Sequence, residues 1–363
     1  MNSVKGKIVN YNESFNGEIL FNKKIEKIRK EEKVDTNLII LPGYIDLHCH
    51  GGNGFDTMDG SESIKKMASY HLNKGTTTLL ATPWTNTLEY TNKALTGFNN
   101  LINNDSNLIG VHLEGPFINP NKLGAQPPLT QKPSIAFIEK IMAIANIKVI
   151  TLAPEIEDME NFIPYLIDNK IKVQFGHSLA DYFCCKKYME KFNIGFTHLY
   201  NAMSGNDHRA PGVLSAALLE GEYAEIICDL HHVKVQAIQL ASKCIPSLYA
   251  VTDSVGAAGL EDGNYKFANV DIKKEFGKIT IRDSSTLAGS IIDMHQTFLN
   301  LLSLGNYSIE EVVSMTSYNA SKYLGLNDIG KIAEGYKSNF LVLDKNFNLK
   351  QVYLNGKLIN DNQ

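Results

Sequence analysis

Histidines and carboxylates stand at the ends of several short apolar runs in this 363-residue chain. The runs end, in chain order, at His48 and His50, Glu114, His177, His198 and Asp253. If the runs are successive parallel strands, their carboxyl ends meet at one rim and these side chains lie close together. Nitrogen and oxygen ligands gathered from separate strands are what a catalytic metal site requires. The sequence therefore predicts a metal-dependent hydrolase.

His48 and His50 are two residues apart in Y-I-D-L-H-C-H. In a strand, both side chains then leave the same face, about 6.6 Å apart at the backbone, and can reach one cation. An H-x-H pair alone also fits two polar residues at a strand end. Here it closes an apolar run and precedes Gly51-Gly52, which favours ligation. Cys49 points to the opposite face and is predicted to pack in the core.

Glu114 ends the run H-L-E-G-P-F, and the following Gly-Pro predicts a turn that holds its carboxylate at the rim. With His177 and His198 it makes three protein ligands and leaves room for water, as in catalytic zinc sites. The alternative is an ion-paired or helix-capping carboxylate beside two packed histidines. His112 faces the same side but lies deeper, so we expect it to be packed.

Asp253 ends the last of these runs, in V-T-D-S. A bound cation lowers the pKa of water toward ~7. A carboxylate beside that water can take its proton and pass it to a leaving amine. Asp253 is therefore the predicted general base and acid; the alternative is a structural N-cap.

The loop T-H-L-Y-N-A-M-S-G-N-D-H-R-A-P-G carries Asn201 and Arg209. Arginine suits bidentate phosphate binding, and backbone N–H groups near Asn201 and Ala202 can add donors. Without other information, Arg209 could equally be a solvated surface charge.

The elements that must position these residues alternate between two patterns after Pro42-Gly43. Apolar, β-branched runs alternate with amphipathic helix patterns at 63–73, 134–145, 181–192 and 234–243, which indicates repeated βα units. The runs are centred at Ile45, Leu79, Val111, Ile150, Val173, Phe196, Ile227 and Val251. Eight such units predict an α/β fold, a (β/α)8 TIM-type barrel with its active site at the carboxyl-terminal rim.

The sequence pattern at both chain ends differs from the alternating pattern of the barrel segment. Residues 4–41 read as short strands with turns at Asn12-Glu13 and Asn16-Gly17, and the tail is β-rich with a turn near Asn346. We predict that the ends, 1–42 plus 327–363, form a small β-sandwich domain, and that 43–326 form the barrel domain. Within the latter, 262–286 resemble an inserted hairpin, and helices are expected at about 290–303 and 308–323.

The amino-acid composition limits the kinds of partner and the cellular compartment that we expect for this protein. A hydrophobic content of 44% and a charged content of 20% are typical of a globular protein. A net charge of −4 argues against nucleic acid and anionic membranes as partners. The N-terminus lacks a signal sequence, and no apolar stretch approaches ~18 residues. Five cysteines without a C-x-x-C motif indicate a reducing, cytoplasmic environment.

The motifs that carry these residues also resemble those of a known family. They are P-G-Y-I-D-L-H-C-H-G-G, H-L-E-G-P-F-I-N-P, G-H-S, T-H-L-Y-N-A-M, H-R-A-P-G, V-T-D-S and L-A-G-S. Extending from about Pro42 to Ser290, they resemble the N-acetylglucosamine-6-phosphate deacetylases of the amidohydrolase superfamily. The tail G-K-I-A-E-G-Y-K-S-N-F-L-V-L resembles the superfamily's return to its small β domain. H-L-E-G-P together with T-H-L-Y-N-A-M is far more specific than H-x-H.

The resemblance implies roles residue by residue. Glu114, His177 and His198 would hold the principal divalent metal, zinc or iron. Members that keep both histidines of H-x-H can hold a second ion, so His48 and His50 imply one or two ions here. Asp253 resembles the general acid and base of the family.

The resemblance also implies how substrate is bound. Asn201, the backbone of Ala202, and Arg209 match the phosphate-binding loop. His232 aligns with a substrate-contacting histidine, although the adjacent His231 could compete for that role. The segment that closes over the sugar and acetyl group is matched by Leu287, Ala288 and Gly289.

One position departs from the family pattern. Where the family usually has G-A-H, this chain has Gly124, Ala125 and Gln126. The Gln126 amide can donate a hydrogen bond but carries no charge and moves no proton. This leaves open a lower rate, another epimer or another acyl group.

The expected reaction is therefore hydrolysis of the acetamide of an N-acetylhexosamine 6-phosphate. The first candidate substrate is N-acetylglucosamine 6-phosphate, and N-acetylgalactosamine 6-phosphate is the alternative epimer. A cyclic amidase would need a rim lysine, which the fourth run, K-V-I-T-L-A-P-E, lacks. A deaminase would not need the Arg209 loop, and a non-catalytic sugar-phosphate binding protein would not need Asp253. The resemblance also implies a homodimer.

Overall fold

Eight parallel strands form the central sheet of the computed structural model, which describes residues 1–32, 37–103, 105–267 and 270–361. In chain order, the barrel strands are Tyr44–Cys49, Thr76–Ala81, Leu108–Glu114, Ile147–Leu152, Lys172–Phe175, Gly195–Phe196, Tyr223–Ile227 and Ser247–Val251. Each contains the residue at which the sequence centred a strand. Neighbours in the chain are also neighbours in the sheet, so the predicted repetition of βα units is confirmed.

The sheet closes between its first and eighth strands at the carboxyl-terminal rim. A parallel bridge joins Cys49 to Ser254, and the amide of Asp253 donates to the carbonyl of His48 over 2.9 Å. Below it, the buried Asp46 accepts from the Thr252 hydroxyl over 2.6 Å. The predicted TIM-type barrel is confirmed, and its closure lies beside the predicted site residues.

Helices cover the outside of the barrel. Their bounds are Ser61–Asn73, Leu88–Leu95, Ile135–Met142, Met159–Asp168, Tyr182–Met189, Val213–Glu220 and Val235–Cys244. Ser134 and Asp181, predicted as first helical residues, are instead N-caps that accept from the amides of Phe137 and Cys184. These two helices therefore begin one residue later than predicted, because the cap residue keeps extended backbone geometry.

A further helical segment follows the eighth strand, as the sequence predicted. Met294–Ser303 is one helix, and Ile309–Val313 and Asn319–Leu324 are joined by a π-helical turn, Ser314–Tyr318. Ser308 and Glu311 form a capping box at the start of the second helix.

The insertion between the eighth strand and these helices contains more strands than expected. Gly263–Phe267, Val270–Glu275 and Lys278–Ile281 form a three-stranded antiparallel sheet, whereas the sequence suggested one hairpin. Thr280 bridges to Leu287, which carries the chain back to the barrel rim. A two-stranded hairpin, Gly51–Gly52 with Phe55–Asp56, and two short 3-10 helices, Thr57–Asp59 and Phe98–Leu101, complete the connections.

Both chain ends build one mixed sheet outside the barrel. Its strands are Asn2–Val9, Ser14–Phe21, Ile25–Lys30, Ile39–Pro42, Phe340–Leu343, Leu349–Leu354 and Lys357–Asp361. The two ends join where Ile39–Pro42 pairs antiparallel with Phe340–Leu343. The small β domain from both termini is confirmed, with all seven strands hydrogen-bonded in one sheet around a shared apolar cluster.

The predicted turn at Asn16-Gly17 is wrong. Both residues lie inside Ser14–Phe21, and Gly17 pairs with Gly6 of the first strand. A Cβ atom on Gly17 would lie 2.5 Å from the Arg29 carbonyl oxygen, so this glycine permits close strand contact.

Among the described residues, no helix combines the length and apolar character needed to cross a membrane. All five cysteines are free thiols. Cys49 is fully buried, with its sulfur 3.2 Å from His71 Nε2, so its predicted core position is confirmed.

Candidate active site

Glu114, His177 and His198 converge at the carboxyl-terminal rim from the ends of three different barrel strands. Glu114 Oε1 lies 2.9 Å from His177 Nε2 and 3.0 Å from His198 Nε2. The two Nε2 atoms are 3.1 Å apart. All three side chains are nearly fully buried. The structure thus brings together the three residues that the sequence grouped as a ligand set.

His48, His50 and Asp253 form a second group beside the Glu114 carboxylate, with His50 against Oε2 and His48 Nε2 3.6 Å from Oε1. His50 Nε2 lies 3.2 Å from Glu114 Oε2, 3.2 Å from His48 Nε2 and 3.1 Å from Asp253 Oδ1. The Glu114 carboxylate therefore lies between two pairs of imidazoles. Geometrically, it can serve two cations as well as one.

The hydrogen bonds on the far side of these rings determine where their lone pairs point. His50 Nδ1 is 2.8 Å from the Thr82 carbonyl, and His177 Nδ1 is 2.8 Å from the Lys122 carbonyl. His48 Nδ1 is 2.9 Å from a carboxylate oxygen. These oxygens only accept, so each Nδ1 carries a proton, and each ring presents a lone pair at Nε2 when it is neutral.

Lone pairs and carboxylate oxygens that face one another at about 3 Å repel unless a positive charge lies between them. The donor set, imidazole nitrogen with carboxylate oxygen, suits zinc or iron. The residues present therefore fit a divalent metal at this rim.

The protonation equilibria of the cluster show the same need for positive charge. Burial alone would raise the pKa of Glu114, but the imidazoles of His48 and His177 hold it well below its ordinary value. Burial would lower the pKa of His50, but Asp253 and Glu114 raise it to about 9. In the absence of a metal, the proton that His50 keeps at neutral pH balances part of the carboxylate charge.

The Asp253 carboxyl group is ionised at neutral pH. Burial would raise its pKa, but the hydrogen bond to His50 and the charge of His48 lower it to about 2. A carboxylate in this state can accept a proton, which general-base catalysis requires.

The backbone at the rim turns sharply where these side chains enter. His177, His198 and Asp253 have positive φ angles of 49°, 28° and 49°, unusual for residues with a Cβ atom. Gly115 follows Glu114 at φ 80°, and a Cβ atom there would lie 2.2 Å from Thr85 Oγ1. Left-handed backbone at such positions is typical of functional sites.

A pocket opens above the cluster. Its lining residues are His50, Glu114, Gly124, Ala125, Gln126, His177, His198, Asn201, Ala202, His232, Asp253, Ser285, Thr286, Leu287 and Gly289. Most of the predicted substrate-binding residues are therefore brought together around the predicted metal ligands. His48 lies beneath the pocket, fully buried.

Two predicted substrate-binding residues do not line this pocket. The Ala288 side chain is fully buried in an apolar cluster with Val255 and Ile279. Arg209 is exposed, and its amide donates to Asp207 Oδ1 over 2.8 Å within the loop. The sequence predicted the position of this loop after the sixth strand but not the direction in which Arg209 extends.

Both polar atoms of the Gln126 side-chain amide form hydrogen bonds. Its oxygen accepts from the Thr85 amide over 2.7 Å, and its nitrogen donates to Glu114 Oε2. The residue that replaces the family's histidine therefore contacts a predicted metal ligand directly.

Of the two candidate histidines, His232 lines the pocket and His231 is not among its lining residues. Asp229 Oδ2 is 2.7 Å from His232 Nδ1, and Asp229 Oδ1 accepts from the amides of both histidines. Burial would lower the pKa of His232, but Asp229 raises it. With Nδ1 held, Nε2 is the ring nitrogen left for a ligand.

Sequence reasoning missed Glu225, a fully buried carboxylate in the seventh barrel strand. It contacts the Nδ1 atom of His48. The only signal was a charged residue inside the apolar run E-I-I-C-D. His112, by contrast, is packed as predicted, with its ring nitrogens on the Leu47 carbonyl and the Thr151 hydroxyl.

Comparisons with known proteins agree with this geometry. Residues 39–359 match the model of the amidohydrolase family. The chain is 35% identical over 334 residues to the N-acetylglucosamine-6-phosphate deacetylase of Bacillus subtilis (strain 168), covering 88% of this chain and 84% of that protein. It is 29% identical over 330 residues to an N-acetylgalactosamine-6-phosphate deacetylase of Escherichia coli O157:H7, covering 88% and 87%.

Among solved structures, the N-acetylglucosamine-6-phosphate deacetylase of Thermotoga maritima superimposes with a TM-score of 0.92 at 32% identity, covering 99% of this chain and 100% of that chain. The ligand cluster, the pocket above it and these similarities lead to one assignment. The chain belongs to the amidohydrolase family and, within it, to the family of the N-acetylglucosamine-6-phosphate deacetylases.

Proposed function

We propose that this chain is a metal-dependent deacetylase that hydrolyses N-acetylglucosamine 6-phosphate to glucosamine 6-phosphate and acetate. The observation that carries the proposal is the convergence of Glu114, His177 and His198 beside an ionised Asp253 at the floor of one pocket. The similarity to named deacetylases supports the substrate class.

Glu114, His177 and His198 would hold the principal cation, and His48 and His50 a second one. Zinc or iron suits this donor set. When bound, a divalent cation supplies Lewis acidity, which acidifies water and polarises a carbonyl oxygen.

Asp253 moves the proton. Its carboxylate accepts a proton from the attacking water as the water oxygen bonds to the acetyl carbon. The same proton is then donated to the amide nitrogen as the C–N bond breaks, so the nitrogen leaves as the amine and the water oxygen ends in the new carboxyl group. The remaining proton of that carboxyl group passes to the amine, which gives acetate and an ammonium group. Its position 3.1 Å from His50 Nε2 keeps this carboxylate at the cluster.

The rest of the pocket orients the sugar. Gln126 and Ala125 would contact the acetamide, His232 would present Nε2 to the sugar phosphate, and Asn201 with the Ala202 backbone would bind phosphate oxygens. The segment Leu287–Gly289 would close over the ring, with Ala288 supporting it from the core side. Binding energy from these remote contacts positions the acetamide for attack.

We propose that the protein is a homodimer. An apolar groove beside the Arg209 loop includes Phe183, which is 73% exposed, and Leu219, which is 71% exposed. Large exposed apolar side chains gathered in one place favour a protein partner. Asn206–His208 line the same groove, so a second copy seated there would lie next to Arg209. Arg209 can bind phosphate only if its loop moves or if it serves the pocket of that second copy.

The domain division and the compartment follow from simpler features. We propose a barrel domain of 43–326 and a small β domain of 1–42 plus 327–363. Free cysteines favour the cytoplasm, and the net charge of −4 argues against nucleic acid and membrane partners.

The test is acetate release from the 6-phosphates of N-acetylglucosamine, N-acetylgalactosamine and N-acetylmannosamine, measured on enzyme of known metal content. The highest kcat/KM is expected with the glucosamine derivative. A preference for the galactosamine derivative would instead favour the activity named for the Escherichia coli relative. Absence of acetate release from all three, with metal bound, would refute the proposal.

A further inference from the structure

Glu225 is a carboxylate at an unusual place in the barrel. It lies in the strand Tyr223–Ile227, its side chain is 0% exposed, and it points beneath the cluster rather than into the pocket. Within the described residues, its ion pairs are with imidazoles only, His48 at 2.9 Å and His112 at 3.6 Å. Burying a carboxylate with no lysine or arginine partner costs stability unless the neighbouring imidazoles compensate its charge.

One oxygen of Glu225 makes two contacts with the cluster. Oε2 lies 2.9 Å from His48 Nδ1 and accepts from the backbone amide of His198 over 3.2 Å. His48 belongs to the first barrel strand and His198 follows the sixth. A single carboxylate thus links the ring of one proposed ligand to the backbone of another, across the barrel interior.

The contact with Glu225 determines which nitrogen of the His48 ring carries the proton. Nδ1 must carry the proton, so the Nε2 lone pair points at His50, 3.2 Å away, with Glu114 and Asp253 oxygens each at 3.6 Å. For His50 and His177 the corresponding Nδ1 partners are neutral backbone carbonyls. A carboxylate partner makes the opposite nitrogen a stronger metal ligand than a carbonyl partner does.

A separate ion between His48, His112 and Glu225 does not fit as well, although the three side chains are close. Both ring nitrogens of His112 are already engaged, Nδ1 by the Leu47 carbonyl at 2.8 Å and Nε2 by the Thr151 hydroxyl at 2.7 Å. Glu225 therefore acts on the cluster above it rather than forming a site of its own.

We propose that Glu225 is the positioning residue that prepares His48 to hold the second cation with His50. The inference rests on the proposed metal-dependent function and deepens it. It predicts that the two metal positions differ in their dependence on Glu225. Glu225 contacts only the backbone of His198, whereas it contacts the imidazole ring of His48.

The experiment is a titration of metal-free protein with Co²⁺, followed by visible absorption and by metal analysis after dialysis. Wild-type protein is expected to bind two equivalents. In Glu225→Gln, which keeps the size of the side chain but removes its charge, the second equivalent should bind about 10- to 100-fold more weakly. The first equivalent should bind as in the wild type.

Two further variants separate positioning from a general structural effect. His48→Gln should lose the second equivalent, and adding Glu225→Gln to it should cost no further metal affinity, because the two changes act through one contact. Glu222→Gln, which lies just before the first residue of the same strand and is paired with Lys322, is the matched control and should bind both equivalents normally.

If Glu225→Gln folds poorly, histidine-labelled ¹⁵N NMR of wild-type protein loaded with two equivalents of Zn²⁺ tests the contact between Glu225 and His48 directly. His48 should show a protonated, strongly hydrogen-bonded Nδ1, identified by its absence in His48→Gln. Equal weakening of both equivalents, unchanged binding of both, a single equivalent in the wild type, or an unprotonated Nδ1 would each overturn the proposal. Failure of the enzyme to release acetate while these metal results hold would refute the function and leave the role of Glu225 standing.

Discussion

The two ends of the pocket are built differently. At the metal end, His50, Glu114, His177, His198 and Asp253 come from strand ends and are at most 8% exposed. At the sugar end, the lining comes from connecting segments, and Gly124, Ser285 and Thr286 are exposed. One end is fixed by the barrel, and the other depends on loops.

The difference teaches where rate and specificity should lie. Side chains on rigid strands with a second hydrogen bond behind them can hold reacting groups in place, as catalysis requires. Loop residues can change without disturbing that frame. Substitutions at the metal end should therefore affect kcat or metal content, whereas substitutions at the sugar end should mainly affect KM.

The largest effect is expected from Asp253→Asn. The amide cannot accept the proton of the attacking water, so kcat should fall about 10²- to 10⁴-fold. Because Asp253 is not needed to complete the set of Glu114, His177 and His198, at least one metal equivalent should remain. Steady-state kinetics measure kcat, and metal analysis of the same preparation measures the bound metal. A near-native kcat with metal bound would remove Asp253 from the proposed mechanism.

Gln126 lies between the metal end and the sugar end of the pocket, so its replacement tests how clearly the two ends are separated in function. Gln126→Leu removes the donor to Glu114 Oε2 and leaves the Thr85 amide without its acceptor. Loss of a hydrogen bond to a charged group costs about 1.5–3 kcal/mol, so kcat/KM should fall roughly 10- to 100-fold.

The matched control for this variant is Gln131→Leu, which removes a donor to the Asn86 carbonyl outside the pocket. It should retain wild-type kcat/KM. If both glutamine variants lose activity equally, the contact between Gln126 and Glu114 has no special role.

The metal end could be predicted from the sequence because strand ends are visible in it. Asp253 and His198 each end an apolar run, and runs of a parallel barrel must end at one rim. Glu225 was missed because it lies within its strand rather than at a strand end. Its strand is buried on both faces, so alternation does not reveal which of its residues points into the barrel.

Most of the sugar end was predicted by resemblance and less completely; only the loop with Asn201 and Arg209 was also suggested by its residue types. Arg209 was placed in the right loop, but no pattern in a loop sequence determines where a long side chain extends. At the chain ends, Asn16-Gly17 has turn-forming residues, yet pairing of Gly17 with Gly6 places it inside a strand. Tertiary contacts decided both cases.

Asp229→Asn tests the charged contact between Asp229 and His232 at the sugar end of the pocket. Burial lowers the pKa of His232 and Asp229 raises it, so removing the Asp229 charge should lower this pKa. The charged imidazolium is present below its pKa and lost above it. KM for the phosphorylated sugar should therefore begin to rise at a lower pH in Asp229→Asn than in the wild type, by roughly fivefold near neutrality.

The measurement is the pH profile of KM and kcat, with kcat expected to change little. Asp344→Asn is the control, because Asp344 also accepts from two backbone amides and one side chain but lies in the C-terminal tail. Identical KM profiles for wild type and Asp229→Asn would show that the charge of His232 does not contribute to substrate binding.

The smallest effect is expected from Arg209→Ala, because an exposed charge contributes only about 0.2–1 kcal/mol. KM for the phosphorylated sugar should rise about 1.4- to 5-fold, with kcat unchanged and with the unphosphorylated sugar unaffected. Arg29→Ala, at an exposed arginine of the small β domain, should change neither. If a second copy supplies Arg209, dilution that separates the copies in analytical ultracentrifugation should raise the wild-type KM to that of the variant. A KM that is the same in wild type and Arg209→Ala at every protein concentration would mean that phosphate is bound by Asn201, Ala202 and His232 alone, and that the sugar end is complete within one chain.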